Sequence, residues 1–231
     1  MKSSIASLSI FLPAYNESAN IERSVRILLS SAQEIKDLEL IVVDDGSNDS
    51  TPEIVRGMIK KDARIRLVRH RTNLGYGAAI ATGLRAAKKD WIFFADSDGQ
   101  FDYKQIKKFI HSSAQFDLVI GYREKRADPF IRLVNSKIYN LAVKIIYRFW
   151  VRDVNCAFKL IKRDAYNSIK PISSKGALVS AEILIKVKRK NLKILELPVT
   201  HKPRKQGVQT GANLNVILRS FREIIELRNN L

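Results

Sequence analysis

Along the first hundred residues, four apolar runs alternate with stretches of helical period, and this alternation leaves few folds open. The runs are Leu8 to Leu12, Leu38 to Val43, Arg64 to Val68 and Trp91 to Ala95. They are near-continuously apolar, as expected of strands buried on both faces, which occur in parallel sheets covered by helices. Between them, Ser50, Thr51, Pro52 and Glu53 read as a helix start with a hydroxyl cap and a first-turn proline, and amphipathic Ile54 to Ile59 follows. The segment Gly75 to Ile80 reads as a tight turn feeding a small-residue helix from Ala78 to Ala87. It follows the third strand and carries Ile80 where a dinucleotide fingerprint, placed in the first βα turn, needs a third small residue. The pattern predicts an α/β protein, with a mostly parallel central sheet flanked by helices and one large domain in 231 residues.

Three of the runs end in polar clusters. The first leads into Pro13, Ala14, Tyr15, Asn16 and Glu17, the second into Asp44, Asp45, Gly46 and Ser47, and the fourth into Asp96, Ser97, Asp98, Gly99 and Gln100. A parallel sheet brings these ends to one edge, where ligands bind, so the clusters converge on one crevice. Asp96 and Asp98 cannot both be core residues, because an unpaired buried charge costs several kcal/mol. They suit a hard divalent cation, which takes oxygen ligands and fills its remaining positions with water and substrate phosphates. In the same crevice Tyr15 offers a stacking face for a base, and Glu17 and Asp45 accept hydrogen bonds from base or ribose. Asp98 reaches a metal bridging a diphosphate. Two plainer readings stand beside this one: solvated Asp residues before a helix capped by Asp102, and a simple turn over Asp44 to Ser47.

The formal net charge of +18 is unevenly placed. Residues 1–120 carry 17 Lys and Arg against 15 Asp and Glu, whereas residues 121–231 carry 24 against 8. Such a basic half attracts polyanions, whether nucleic acid, anionic lipid or a phosphorylated substrate. No nucleic-acid-binding fingerprint accompanies it, and no nucleic-acid partner is expected. The single cysteine, Cys156, excludes an internal disulfide and a multi-cysteine metal site. With His70, His111 and His201 scattered along the chain, it reads as a packed thiol and not a nucleophile. The run before Pro13 lacks a signal-peptide pattern, and no stretch reaches the roughly 18 apolar residues of a spanning helix, so membrane contact is expected to be peripheral.

Pro13-Ala-Tyr-Asn-Glu17, Val42-Val-Asp-Asp-Gly-Ser47 with Asp49 and Thr51, Asn73-Leu-Gly75 with Gly77, and Asp96-Ser-Asp-Gly-Gln100 resemble the ordered motifs of inverting family-2 glycosyltransferases. The likeness continues through Gly121-Tyr-Arg123, Arg132, Asp153-Val-Asn-Cys-Ala-Phe-Lys159, Glu182-Ile-Leu and Glu196-Leu-Pro198, and so covers nearly the whole chain in order. The most similar subgroup is that of dolichyl-phosphate and polyprenyl-phosphate sugar synthases. The resemblance implies one GT-A-type nucleotide-diphospho-sugar transferase domain over residues 1–231, with 1–120 as the nucleotide-sugar-binding half and 121–231 as the basic acceptor and membrane-surface half.

It implies a hexosyltransferase dependent on Mg2+ or Mn2+, moving a hexose from GDP-mannose or a UDP-hexose to dolichyl or undecaprenyl phosphate at the cytoplasmic membrane face. Pro13, Tyr15, Glu17, Asp45, Asp96 and Ser97 are then nucleotide-sugar contacts, and Asp98 and Gln100 are metal ligands. Arg123, Arg132 and Arg204 contact acceptor phosphate or diphosphate. Asp98, Arg123 and Asp153 form the catalytic group, with Asp153 orienting the nucleophile. The chain departs from the family's usual pattern where Asn155-Cys-Ala-Phe-Lys159 replaces a Ser-Gly-Phe-Arg segment. It departs again where Arg204, Gly207, Gln209 and Thr210 replace an Arg-x-x-Gly-x-Ser-Lys loop. The alternative acceptor is a sugar hydroxyl. A phosphate monoester, with a second pKa of about 6, arrives largely dianionic and needs no strong base, whereas a hydroxyl makes a base such as Asp153 essential.

From Phe130 to Val151 the chain is rich in large apolar residues, and Lys137, Lys144 and Arg148 share one stripe of a helix. An interfacial helix, with Tyr147, Phe149 and Trp150 in the acyl boundary, and a core helix with a solvated stripe both fit this pattern. Leu214 to Leu227 reads as an ordinary packed helix. Further expected partners are an anionic membrane surface and a separate membrane-anchoring protein or a second copy of the chain.

Overall fold

The four apolar runs become four strands whose ends lie within one or two residues of the expected ones. The computed structural model describes residues 5–124, 138, 141, 143–148, 150–174, 176 and 178–204. In chain order the elements are β1 (Ser7–Ala14), α1 (Ile21–Ser31), β2 (Asp37–Asp44), α2 (Thr51–Ile59), β3 (Ile65–Arg69), α3 (Tyr76–Ala86) and β4 (Trp91–Phe94). A 3-10 turn (Tyr103–Gln105) then leads into α4 (Ile106–Ser112), followed by β5 (Leu118–Arg123), β6 (Lys159–Lys162), α5 (Arg163–Ile169), α6 (Val179–Arg189) and β7 (Ile194–Val199).

β1 is buried along its whole length, and its pleat divides it between two cores. Leu8, Ile10 and Leu12 pack with α1, α2 and α4, while Phe11 on the opposite face packs with α3, α5 and α6. α1 meets the first core through Ile21, Val25, Leu28 and Leu29, the spacing of one helix face. On the other side a Cβ added at Gly83 would lie 2.2 Å from the Phe11 ring, so only glycine lets α3 approach β1 this closely. Phe11 in turn stacks on Phe94 at 5.1 Å.

The strand order is β3-β2-β1-β4-β6-β5-β7. β1 pairs parallel with β2 and β4, β2 with β3, and β5 with β7. β6 alone among these strands runs the other way, antiparallel to both β4 and β5. The carboxyl ends of β1, β2, β4, β5 and β7 and the amino end of β6 therefore share one edge of the sheet. That edge carries the three polar clusters and, in addition, Arg123, Asp153 to Lys159, and the segment after β7.

At the start of α2 the cap differs from expectation. Ser50 makes no side-chain cap; Asp49 accepts from the Thr51 N–H at 2.9 Å and takes that task. Asp102 does cap, accepting from the Lys104 N–H ahead of α4. Residues 143–147 are helical, as are 138 and 141. Val143 is buried, and Tyr147, which the interfacial reading places at the lipid boundary and the core reading does not, packs with Ile146 against the core. Ile138, Leu141, Ile145 and Trp150 project outward, 51%, 53%, 64% and 71% exposed. Arg132, Lys137, Phe149 and the 214–227 segment lie outside the described residues. Among the described residues no helix is long and apolar enough to cross a membrane.

Candidate active site at the carboxyl edge of the sheet

The loops after β1 and β2 hold each other in place. Asn16 turns the chain in a left-handed conformation (φ 55°), which Asn tolerates better than most residues. Its N–H donates to Ser47 Oγ at 2.9 Å, and its Oδ1 accepts from the Asn48 N–H at 2.9 Å. The Glu17 N–H donates to Thr51 Oγ1 at 2.9 Å, and the Ser18 N–H to Asp49 Oδ2 at 3.0 Å. Ser47, Asp49 and Thr51 thereby fix Glu17, whose carboxylate accepts from Asn20 Nδ2 and from an Arg204 NH group, each at 2.8 Å. Burial outweighs these donors and raises the Glu17 carboxyl above its usual range. Tyr15, beside it, remains 39% exposed and free to meet a flat ligand.

After β2, two adjacent aspartates divide the work. Asp44 is fully buried, accepts from the Ser47 N–H at 3.1 Å and lies 2.9 Å from Arg69 Nε, so it makes the turn. Asp45 braces a second loop. Its Oδ1 accepts from the Leu74 N–H at 2.9 Å and meets His70 Nδ1 at 2.7 Å, and its Oδ2 accepts from the Gly75 N–H at 2.9 Å. Gly46 permits this closeness: its φ is +74°, and an added Cβ would lie 2.5 Å from the Thr72 carbonyl carbon.

The cluster after β4 is likewise anchored. Ser97 Oγ donates to the Pro13 carbonyl at 2.7 Å, and the Ser97 carbonyl accepts from Ser24 Oγ at 3.1 Å, so Ser97 ties the cluster to β1 and α1. Gln100 is buried, and its Nε2 donates to the Lys202 carbonyl at 2.9 Å. The Lys202 N–H returns a bond to the Gln100 carbonyl at 2.8 Å. These bonds lay the segment after β7 across the site. Asp96 accepts from the Tyr76 hydroxyl at 2.8 Å, and its carbonyl from the Tyr103 hydroxyl at 2.6 Å. Enclosure by protein, and after it the charge of Asp98, raise the Asp96 carboxyl to about 6. Arg204 answers this surplus of negative charge, with one NH group 2.8 Å from Glu17 and the other 3.7 Å from Asp98 Oδ2.

On the β5 side, Arg123 and Asp153 form a two-pronged pair. Arg123 Nε and NH2 donate to the carboxylate at 2.7 and 2.9 Å, and the Arg123 N–H lies 3.3 Å from it. Both side chains are only 8% exposed. Next to Asp153, Cys156 packs against Gly121, and burial pushes its thiol up to about 11, as befits a packed and unreactive sulfur. Lys159 is fully buried beneath this turn.

The structure thus gathers Tyr15, Glu17, Asp45, Asp96, Asp98, Arg123, Asp153 and Arg204 along one edge. It gives Ser97 and Gln100 anchoring bonds within the protein and shows Pro13 as the acceptor of one of them. His70, Tyr76, Asp49, Thr51 and Lys159 join the site's support, although sequence spacing assigns them no such task. The partners of His70 and Tyr76 lie on other elements, as do Glu17 and Ser18 for Thr51 and Asp49 and Ser180 for Lys159, so only the fold reveals these roles. Among the described residues no group of three or more His, Cys, Asp and Glu is arranged to hold a metal ion. A cation here would rest on the Asp98 carboxylate with water and phosphate oxygens, the usual arrangement for Mg2+ with a bound diphosphate.

A largely parallel sheet with one reversed strand, carrying carboxylates and arginines on its carboxyl edge, is a GT-A-type glycosyltransferase fold. Residues 9–187 match the profile described as Glycosyl transferase family 2, and the chain belongs to that family. It is 30% identical over 207 residues to Glycosyltransferase AglD of Haloferax volcanii, covering 85% of this chain and 33% of that protein. It is 28% identical to a dolichyl-phosphate beta-glucosyltransferase of Dictyostelium discoideum (83% of this chain, 65% of that one). It is also 28% identical to a dodecaprenyl-phosphate galacturonate synthase of Rhizobium johnstonii (95% and 65%). The chain therefore spans from a third to about two thirds of the length of these relatives. Among solved structures, glucosyl-3-phosphoglycerate synthase from Mycobacterium tuberculosis, in complex with Mn2+, UDP and phosphoglyceric acid, superposes with a TM-score of 0.67. That match has 22% identity and covers 95% of this chain and 76% of the other. Likeness at this identity is one of fold.

Proposed function

We propose that the chain is one catalytic domain, and that it transfers a hexose from a nucleotide diphosphate donor to a polyprenyl phosphate with inversion at the anomeric carbon. The observation that carries this reading is the meeting of Glu17 and Asp98 with Arg204 at the strand ends, with Asp96 set between the charge of Asp98 and that of Arg123, the partner of Asp153. The first half of the chain supplies the donor side. Tyr15 stacks on the base, Glu17 and Asp96 accept from base or ribose, and Asp45 holds the 72–75 loop as a wall. The negative charge that Arg204 balances also fits a hard cation at Asp98. Mg2+ or Mn2+ bound there would neutralise the diphosphate and so favour its departure.

The acceptor side belongs to the basic half. A phosphate monoester is largely dianionic at neutral pH and is itself the nucleophile. One of its oxygens bonds to the anomeric carbon, the bond from that carbon to the diphosphate oxygen breaks, and the nucleoside diphosphate leaves. The protein must align two anions and offset their repulsion, a task for Arg123, Arg132 and Arg204. Asp153 orients Arg123 and removes no proton. The outward apolar ridge of Ile138, Leu141, Ile145 and Trp150 sits with Lys144 and Arg148, a pattern suited to an anionic membrane surface. Anionic lipid and nucleotide-sugars meet at the cytoplasmic face, which is where we place the reaction. The donor assignment is tested by thermal unfolding with a panel of nucleotide-sugars and Mn2+. A donor at 100 times its Kd stabilises by about 2.7 kcal/mol, whereas no stabilisation by any of them overturns the reading.

A further inference from the structure

Lys159 opens β6 in the middle of the sheet, opposite Phe94 and Ile120, and is fully buried. Burying an ammonium is costly unless its protons find acceptors. Here Nζ donates to the Cys156 carbonyl and lies 3.4 Å from both the Val154 carbonyl and Ser180 Oγ, with the Phe94 ring 5.9 Å away. Each acceptor is neutral. Two belong to the turn over residues 153–157, and the third lies in the first turn of α6. The ammonium therefore ties that turn to α6 from below, and the turn begins with Asp153, the partner of Arg123. Burial pulls the ammonium down to about 8, against the opposing influence of Cys156, Asp153 and Asp96. A well-packed apolar side chain would avoid this desolvation, so what the lysine adds is order in the turn.

We propose that Lys159 is a positioning residue for the acceptor side of the site: its buried ammonium clamps the 153–157 turn onto α6 and so keeps Asp153 aligned with Arg123. The functional part of this statement rests on reading Arg123 and Asp153 as the acceptor side. The clamp itself has an independent reporter, because Cys156 is the chain's single cysteine and sits buried in the turn. Its reaction with 5,5'-dithiobis(2-nitrobenzoate) in the folded protein, without substrate, measures opening of the turn.

Lys159→Met is expected to react about tenfold faster than wild type, and Ser180→Ala about threefold faster, while Lys159→Arg, which keeps charge and donors, stays within about threefold. Val25→Ala on α1, which shares the first core with Cys156 but makes none of the Lys159 contacts, is the control for general destabilisation and is expected to stay near the wild-type rate. In transfer assays Lys159→Met raises KM for a short polyprenyl phosphate about tenfold and leaves donor affinity within about twofold, and Lys159→Arg restores KM. A wild-type thiol rate in Lys159→Met, or equal acceleration in Val25→Ala, overturns the clamp. Should Lys159→Met not fold, Ser180→Ala at the wild-type rate overturns it. A faster thiol reaction with unchanged acceptor KM overturns the positioning role. If wild type transfers to no phosphate acceptor, the functional reading fails, and the thiol rates still decide the clamp.

Discussion

Replacing Asp153 by Ala leaves the Arg123 guanidinium without its two-pronged partner in a place where each side chain is 8% exposed. Two unit charges about 4 Å apart attract by about 4 kcal/mol at an effective dielectric of about 20, and loss of one member of a buried pair costs about 3–5 kcal/mol. In a domain of this length each kcal/mol shifts Tm by about 2–4 °C, so Asp153→Ala should melt roughly 6–20 °C lower. Arg123→Met should cost a similar amount. The double variant Arg123→Met with Asp153→Leu removes both charges and fills their space, and should return to within about 1 kcal/mol of wild type. Urea unfolding of wild type, Asp153→Leu, Arg123→Met and the double variant closes the cycle and gives the coupling energy directly. Single variants that each lose under about 1 kcal/mol, or costs that simply add in the double variant, would refute a buried, interdependent pair. The milder Asp153→Asn should keep measurable transfer to a phosphate acceptor, because the nucleophile arrives deprotonated. Abolished turnover with intact donor binding would indicate a hydroxyl acceptor instead.

Asp98→Ala should fold with stability within about 1 kcal/mol of wild type and lose Mn2+-dependent stabilisation by donor, as read by thermal unfolding; unfolding of the variant would mark Asp98 as structural. Reversing Lys137, Lys144 and Arg148 to Glu should remove about 3 kcal/mol of attraction to anionic liposomes at low salt, and replacing Ile145 and Trp150 by Ser should weaken cosedimentation further. Equal binding by both variants would rule out this face as the membrane contact. Glu182 is fully buried; burial raises its carboxyl, yet bonds from Lys186, Ser174 and Ser173 outweigh this and hold it below the usual range. Its stabilising contribution is therefore complete above pH 4.5 and is lost as pH falls through its lowered value, so Glu182→Gln should flatten the acid limb of the stability profile.

Much of the donor half is legible in the sequence, for a physical reason. Strands covered on both faces read as near-continuous apolar runs, interrupted in β1 by Ser9 and in β2 by Glu39, and the break from Phe94 to Asp96 or from Val43 to Asp45 marks where the sheet ends and ligand chemistry begins. The second half hides its strands. β6 begins with a buried lysine and ends with an exposed one, and β7 alternates Ile194, Glu196 and Pro198 with leucines, so neither reads as a buried strand. Charge composition there draws attention to polyanions, yet the fold spends Arg123 on Asp153 and Lys159 on backbone carbonyls. Asp45 shows the same limit: its motif marks the crevice, but its bonds to His70, Leu74 and Gly75 depend on a loop brought close by Gly46. Local spacing locates the edge, whereas the division of labour along it is a property of contacts distant in sequence.

The most direct test is transfer itself. Purified protein is incubated with Mn2+, each of a set of radiolabelled nucleotide-sugars and a short polyprenyl phosphate, and label is followed into the organic phase. A strand-end site of the kind described here predicts label in a polyprenyl-phosphate sugar from one donor, lost on chelation and in Asp98→Ala. Donor binding without transfer to any polyprenyl phosphate, or transfer that persists unchanged in Asp98→Ala, would contradict it.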